Sequence, residues 1–443
     1  MSADATNRAE MLVDGHRILP ALLEDIESAE KVIHVSMFLF FRDPIGEEIA
    51  EALSRKAGAG VTVRVLLNVE KTAMGDPFST GEKRMMRHDP NIHHDPTEVK
   101  TLCEQMTAAG VHVLDTNIDY DAPLALLDAR LRSIAEQIRG GIQVDDMHVD
   151  HRKIVVIDGR IGWCGGANIG AQYMYNAPFD PESDAIAEAE RRKKAGLPEP
   201  WWKWHDSLTR FEGPIVNALD HHFRDRWVLD GGHEIPPLRE LPARRPPRGV
   251  VLADARVYCN EPNAKPNDVR ELYLRLIRGA RRSIFIENPY LYHPAIADAL
   301  CAAKTTTPSL DVVLVVPSGK HNDNSFGQDA QEHEYARYLA CGIQVHEYQN
   351  HFNHLKMAVF DERFSIHGST NLNCRSLEYD KDFELVVLID DEPLARWILA
   401  EVRDVDVRHA RRIEPNDLRG SLAALRRRVR DPRTSLMLSR RVL

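Results

Sequence analysis

The sequence predicts an α/β protein made of two similar halves, and three observations carry that prediction. The stretch "DHRKIVVIDGRIGWCGGAN", residues 150–168, returns as "NHLKMAVFDERFSIHGSTN", residues 353–371, so both copies read H-x-K-x4-D, six further residues, then G-[GS]-x-N. The flanks repeat as well: "SAEKVIHVSMFLFFRDPIGEEIAEALSRKAGAGVTVRVLLN" corresponds to "GARRSIFIENPYLYHPAIADALCAAKTTTPSLDVVLVVP", each a helix end, an apolar strand, a helix and a second apolar strand. Finally, 443 residues of which 43% are hydrophobic and 28% charged suffice for two ordinary cores.

Each half therefore opens as a βαβ unit. "VIHVSMFLFF" is too short to span a bilayer and rich in β-formers, which marks a buried strand. "AAGVHVLDT" and "ACGIQVHEY" each give a helix end, a glycine and an alternating strand. After each His-Lys hairpin, "WHDSLTRFEGPIVNALDHHFRDRW" and "DKDFELVVLIDDEPLARWILAEV" read as a strand leading into a helix. The seam is "GGHEIPPLRELPARRPPRGV", whose prolines and glycines oppose regular structure. The expected division is a first half over residues 1–235, a Pro/Arg-rich linker over 236–250 and a second half over 251–443.

Two segments interrupt the first half. Residues 171–203 have no counterpart in the second half, and "SDAIAEAERRKKAGLPEP" within them has early acids, late bases, then Gly196 and Pro198, as a short exposed helix would. Val69 to Val99 reads as an irregular loop whose His88, His93 and His94 are solvated loop histidines rather than a metal site.

The net charge of −10 offers no general attraction for polyanions, so binding nucleic acid would require a local basic groove. The six cysteines are scattered without zinc-like spacing, which fits a reducing compartment. The N-terminal stretch lacks the pattern of a secretory signal, and no stretch stays apolar for the length of a membrane helix, so the expectation is a soluble or peripheral protein.

The chemistry follows from the twin motif. Side chains at i and i+2 of a strand share a face, so His151 with Lys153, and His354 with Lys356, form two phosphate grips. Displacement at a phosphodiester needs a nucleophile that survives as a covalent carrier, an acid for the departing alkoxide, and positive groups around the non-bridging oxygens. Two histidines can divide the first two tasks if their surroundings push their protonation apart. Lys153, Lys356, Asn168 and Asn371 supply donors to the phosphoryl oxygens, which removes the need for a metal. Asp158 in "DGR" and Asp361 in "DER" sit at hairpin turns, where an aspartate stabilises the turn.

On these motifs the chain resembles the phospholipase D superfamily and is most similar to bacterial cardiolipin synthases and related phosphatidyltransferases, from about Glu30 to Trp397. The resemblance implies two phospholipase D-type α/β halves packed face to face, with one active site at their interface and no metal or other cofactor. It implies His151 as nucleophile, His354 as acid, and carboxylates at Asp206 and Glu384 that hold the histidines' other ring nitrogens. It gives Asp158 and Asp361 a structural role. Gly166 stands where the family commonly has serine, whereas Ser369 keeps the hydroxyl as a further donor to the phosphoryl group.

The implied reaction is phosphatidyl or phosphodiester transfer, or hydrolysis, on an anionic phospholipid such as phosphatidylglycerol, through a phosphohistidine. The alternative is a phosphodiesterase or nuclease of the same superfamily, which the acidic net charge disfavours. Trp201, Trp202 and Trp204 around Lys203 read either as a lipid-facing anchor or as packing under the inserted loop. The C-terminal "LRRRVRDPRTSLMLSRRVL" reads either as a headgroup-binding segment or as a solvated basic helix end. These features suit a cytoplasmic protein peripheral on the inner membrane face.

Overall fold

A computed structural model describes residues 6–69, 72, 96–116, 149–179, 203–238, 246–261, 267–319, 321, 322, 325–377 and 382–417. The inserted helix, the histidines of the Val69–Val99 loop, Trp201, Trp202 and the C-terminal basic segment lie outside these residues.

Apart from the short β5 (Val149–Asp150), which pairs with the other sheet, the first sheet opens with β1 (Arg8–Val13), β2 (Val32–Met37), β3 (Thr62–Leu67) and β4 (His112–Asp115). It continues with the hairpin β6 (Ile154–Ile157) and β7 (Ile161–Gly165). After β8 (Trp204–His205) come β9 (Ser207–Glu212) and β10 (Val250–Val251). Its helices are α1 (Gly15–Ser28), α2 (Pro44–Gly58), α3 (Pro96–Ala108) and α4 (Ile215–Leu229).

The second sheet is built from β11 (Asp254–Asn260), β12 (Ser283–Glu287), β13 (Asp311–Pro317), β14 (Gln344–Tyr348), the hairpin β16 (Met357–Phe360) and β17 (Phe364–Gly368), β18 (Asp382–Asp390) and β19 (Ala410–Arg412), while the short β15 (Phe352–Asn353) pairs with β8 in a separate two-stranded sheet. Helices α5 (Asp268–Gly279), α6 (Pro294–Thr306), α7 (Ser325–Ala340), α8 (Cys374–Leu377), α9 (Glu392–Ile398) and α10 (Asp404–Arg408) accompany it.

The strand orders are β10-β1-β9-β7-β6-β2-β3-β4 and β11-β18-β17-β16-β12-β13-β14-β19, so the internal repeat becomes a repeat of topology. Parallel neighbours β2/β3 and β12/β13 are the βαβ units, and β6/β7 and β16/β17 are the antiparallel hairpins expected from the twin motif. The "VIHVSMFLFF" strand stops at Met37, where the chain turns toward α2. Strands β1 and β11 lie outside the repeat that the sequence discloses. They extend the sheets beside β9 and β18, and β10 at the end of the linker pairs with β1.

Local chemistry sets the boundaries. Asp43 accepts from the Ile45 and Gly46 amides at 3.0 and 2.9 Å and Pro44 pre-sets the first turn, so α2 begins there. Asn267 and Asp391 cap α5 and α9 in the same manner, accepting from Arg270 and Leu394. Both hairpin turns have two central residues at positive φ: Asp158 and Gly159 at 53° and 63°, Asp361 and Glu362 at 54° and 57°.

The two sheets face each other across a shared apolar layer. Ile154, Val156, Cys164 and Phe211 of the first meet Phe285, Val315, Met357, Val359 and Val387 of the second in one buried cluster. Two short pairings then cross between halves: β5 runs parallel to β18, matching Val149 with Asp382, and β8 runs parallel to β15, matching His205 with Asn353.

Candidate active site

These crossing pairs decide which acid meets which histidine. The His151 amide donates to Phe383 O at 3.0 Å, which puts the imidazole beside Glu384 of the other half. Its Nδ1 lies 3.1 and 3.2 Å from the two Glu384 oxygens. The His354 amide donates to His205 O at 2.8 Å, and its Nδ1 lies 2.6 Å from Asp206 Oδ2. Each motif histidine is thus held by the acid that follows the other motif.

All four groups are buried, Asp206 and Glu384 completely. Burial pushes the Asp206 carboxyl up to about 7, against the pull of Lys356 and the Ser207 amide. At Glu384 burial also works upward, but the charge and hydrogen bond of His151, with Lys153 and Ser369, outweigh it and hold the carboxyl below its ordinary value. Burial, then Lys356, Lys153 and His151, hold the His354 imidazole well below the usual histidine range.

The lysines occupy the same space. Lys153 Nζ donates to His151 O at 2.6 Å, and burial together with the neighbouring Lys356 brings it down to about 7. Lys356 Nζ donates to His354 O at 2.9 Å and lies 2.9 and 3.0 Å from the ring nitrogens of the same histidine. Aromatic rings shape the walls: Phe38 meets His151 edge-on at 4.9 Å, and Tyr173, Trp204 and Phe352 surround His354 at 5.6, 5.0 and 5.6 Å.

The remaining motif residues divide. Asn168 accepts from the Leu39 amide at 3.1 Å, and Asn371 Oδ1 is buried with no hydrogen-bond partner among the described residues. Ser369 Oγ donates to Glu384 Oε2, so its hydroxyl proton is engaged with that carboxylate rather than held free for a phosphoryl oxygen. Gly166 has a steric reason: a Cβ there would come within 2.2 Å of Asp206 Oδ1. Asp158 accepts from the Glu30, Lys31 and Val32 amides at 2.8, 2.8 and 2.9 Å, and Asp361 from Arg281, Arg282 and Ser283 at 3.0, 2.7 and 3.1 Å. Both aspartates tie the hairpin to the start of the neighbouring strand.

Some contributors escaped the sequence reading. Ser376 Oγ donates to Glu384 Oε1 at 2.8 Å. Arg152 lies buried between the first motif's histidine and lysine, bound to Asp150 through Nε and Nη2 at 2.8 and 2.7 Å. Trp204 is buried against Tyr173 and Phe352, which resolves its alternative readings in favour of packing. Among the described residues no helix is long and apolar enough to cross a membrane.

The family model described as "Cardiolipin synthase, PLD-like domain" matches residues 22–189 and 273–405. The major cardiolipin synthase ClsA of Bacillus subtilis is 26% identical over 402 residues, 90% of this chain and 68% of that protein. The probable cardiolipin synthase YwiE of the same organism is 25% identical over 416 residues, 94% and 69% of the two chains. Among solved structures, phosphatidylserine synthase from Haemophilus influenzae superposes with a TM-score of 0.61 at 14% identity, covering 98% of this chain and 95% of that one, which shows a shared fold.

Proposed function

The chain belongs to the cardiolipin synthase type of phospholipase D-like domains, and from that premise we propose that it transfers the phosphatidyl group of an anionic phospholipid, such as phosphatidylglycerol, to an alcohol through a phosphohistidine. The observation that carries the reading is the pair of crossed dyads, His354–Asp206 and His151–Glu384, which supplies two oriented imidazoles with differently biased partners in one buried site.

The placement of Lys356 against both ring nitrogens of His354 opposes an imidazolium there, so His354 is the neutral partner. Its Nδ1–H rests on Asp206, leaving Nε2 to attack phosphorus once Lys356 turns to the phosphoryl oxygens. His151, held on the ionised Glu384, takes the part of the general acid. As the N–P bond forms and the P–O bond breaks, His151 passes its proton to the departing alkoxide. Neutral His151 then takes the proton of the incoming hydroxyl, whose oxygen attacks phosphorus and releases His354. This division reverses the order that the resemblance implied. Lys153 and Lys356 balance the phosphoryl charge, and Asn168 and Asn371 direct their amide groups to the same oxygens. In this reading the protein works at the inner membrane face, held peripherally by Trp201, Trp202 and the C-terminal arginines.

Incubation of the pure protein with phosphatidylglycerol vesicles, without added metal, followed by mass spectrometry of the lipids, tests the reading. The expected products are a diphosphatidyl lipid and free glycerol, with transfer to any added alcohol. Efficient cleavage of plasmid or single-stranded DNA with phosphatidylglycerol left intact would favour a nuclease instead.

A further inference from the structure

Beside the catalytic dyads lies a second cluster that the proposed reaction does not use. His205, on β8, places Nδ1 2.7 Å from Asp14 Oδ1 and Nε2 3.2 Å from Asp406 Oδ2. Asp14 comes from the turn before α1 of the first half and Asp406 from α10 of the second. Although Asp14 occupies the N-cap position of α1, its side chain makes no capping bond and turns to His205 instead. His351, three residues before His354, stacks near His205 with ring centres 5.7 Å apart and planes 23° from parallel.

An imidazolium held between two carboxylates would account for His205, Asp14 and Asp406. It leaves His351 unexplained. That ring is 3% exposed, is covered by Phe179 and Tyr348, and has both nitrogens buried with no hydrogen-bond partner among the described residues. Such a group costs stability unless something binds it. One donor atom each from Asp14, His205 and His351 lie within 4.8 Å of one another.

We propose that Asp14, His205 and His351 bind one divalent transition-metal ion of the zinc class. Two imidazoles and a carboxylate are a common ligand set for such ions, with a fourth tetrahedral position left for water. Two histidines sharing an ion at ordinary Zn–N distances have ring centres about 5 Å apart and in-plane lone pairs that converge; here the centres are 5.7 Å apart and the planes 23° from parallel, so binding turns the His351 ring toward His205 Nδ1. Asp406 stands where the second ring nitrogen of a ligating histidine is usually held by a carboxylate. Asp14 and Asp406 bring two carboxylates to the cluster, and Glu287, fully buried beside His205 and Asp406, adds a third acid. On binding, Nδ1 of His205 gives up its proton to solvent and donates its lone pair to the ion, while Nε2–H remains on Asp406.

The ion would join the two halves, since Asp14 and His205 come from the first and His351 from the second. Its two histidine ligands precede Asp206 by one residue and His354 by three, on strand β8 or just before its partner β15. The role is therefore to fix the frame of the Asp206–His354 dyad rather than to touch phosphate.

The test uses the tag-free full chain, incubated with equimolar Zn²⁺ or Co²⁺, passed through gel filtration and analysed by elemental mass spectrometry. The wild type is expected to retain about one ion per chain and to show the visible bands of four-coordinate cobalt. His351→Phe, which keeps a stacked ring but no nitrogen, should retain less than about a fifth of that while giving an unchanged circular dichroism spectrum. Should that variant fail to fold, Asp14→Asn makes the same comparison. Chelation should lower the Tm of the wild type and leave that of the folded variant unmoved. Retention below about a tenth of an equivalent by the wild type, or equal retention by a folded variant, overturns the site.

Discussion

His354 Nδ1 lies 2.6 Å from Asp206 Oδ2, and the two residues belong to opposite halves of the molecule. The reciprocal contact joins His151 to Glu384 at 3.1 Å. Neither half alone holds a complete dyad, so the site exists only where the halves meet. The crossing also makes the two dyads chemically unequal, because Lys356 lies against His354 while Ser369 and Ser376 donate to Glu384.

That inequality predicts different rescue. His151→Ala and His354→Ala should each lower turnover of phosphatidylglycerol at least about a thousandfold, with the double variant falling little further, because the two act as one unit. On a phosphodiester with a p-nitrophenolate leaving group, which departs without an acid, His151→Ala should recover much of its first-step rate and His354→Ala should not. Burst kinetics of nitrophenolate release measure this, and recovery by His354→Ala alone would reverse the assignment.

Lys153 predicts a limb of the pH profile. Burial and Lys356 lower its ammonium to about 7, so in the free enzyme the positive charge that receives phosphate is present below that pH and lost above it. The profile of kcat/KM should therefore fall on its alkaline side from about pH 7, whereas that of kcat should fall at higher pH, because the bound phosphodiester anion stabilises the ammonium. Lys153→Arg, charged throughout, should flatten the alkaline limb of kcat/KM even where its absolute rate is lower. Identical alkaline limbs in the wild type and this variant would remove Lys153 from that role.

Gly166→Ala should damage the His354 dyad specifically. The added methyl would sit 2.2 Å from Asp206 Oδ1, so the carboxylate must move off Nδ1. A loss of about ten- to a hundredfold in kcat is expected with KM little changed, since a displaced positioning carboxylate acts on the transition state. Ser369→Ala removes one donor from Glu384 without a clash, and a smaller loss is expected. Steady-state kinetics on the same lipid substrate compare the two, and kcat within twofold of wild type for Gly166→Ala would show that the site absorbs the methyl.

The hairpin aspartates should separate stability from chemistry. Asp158 is buried and its carboxylate accepts three backbone amides, so Asp158→Ala leaves three donors unmet and should cost about 3 kcal/mol. Asp361 makes equivalent bonds near solvent, where water replaces the carboxylate, and about 1 kcal/mol is expected. Urea unfolding reads both losses. In the folded fraction kcat should stay near wild type, and a thousandfold fall there would give these aspartates a chemical role.

Much of this was legible in the chain. Periodicity and the internal repeat disclosed the βαβ openings, both hairpins and the strand-to-helix exits, because those features are local and depend on alternation, turn residues and caps. The twin motif likewise pointed to His151, Lys153, His354 and Lys356, and the resemblance to the phospholipase D superfamily to Asp206 and Glu384. Strands β1 and β11 escaped notice because a sheet neighbour, not a local pattern, stabilises them.

The sequence by itself therefore determined the residue types, their spacing and the doubled architecture. Only the tertiary structure decided which acid serves which histidine, why Gly166 must lack a side chain, that Ser369 faces Glu384, and that Asp14, His205 and His351 converge. The physical reason is the same in each case. The partners are separated by up to 233 residues in sequence, as His151 and Glu384 are. Their contacts are set by two short strand pairings across the interface, β5 with β18 and β8 with β15, whose register no local periodicity encodes.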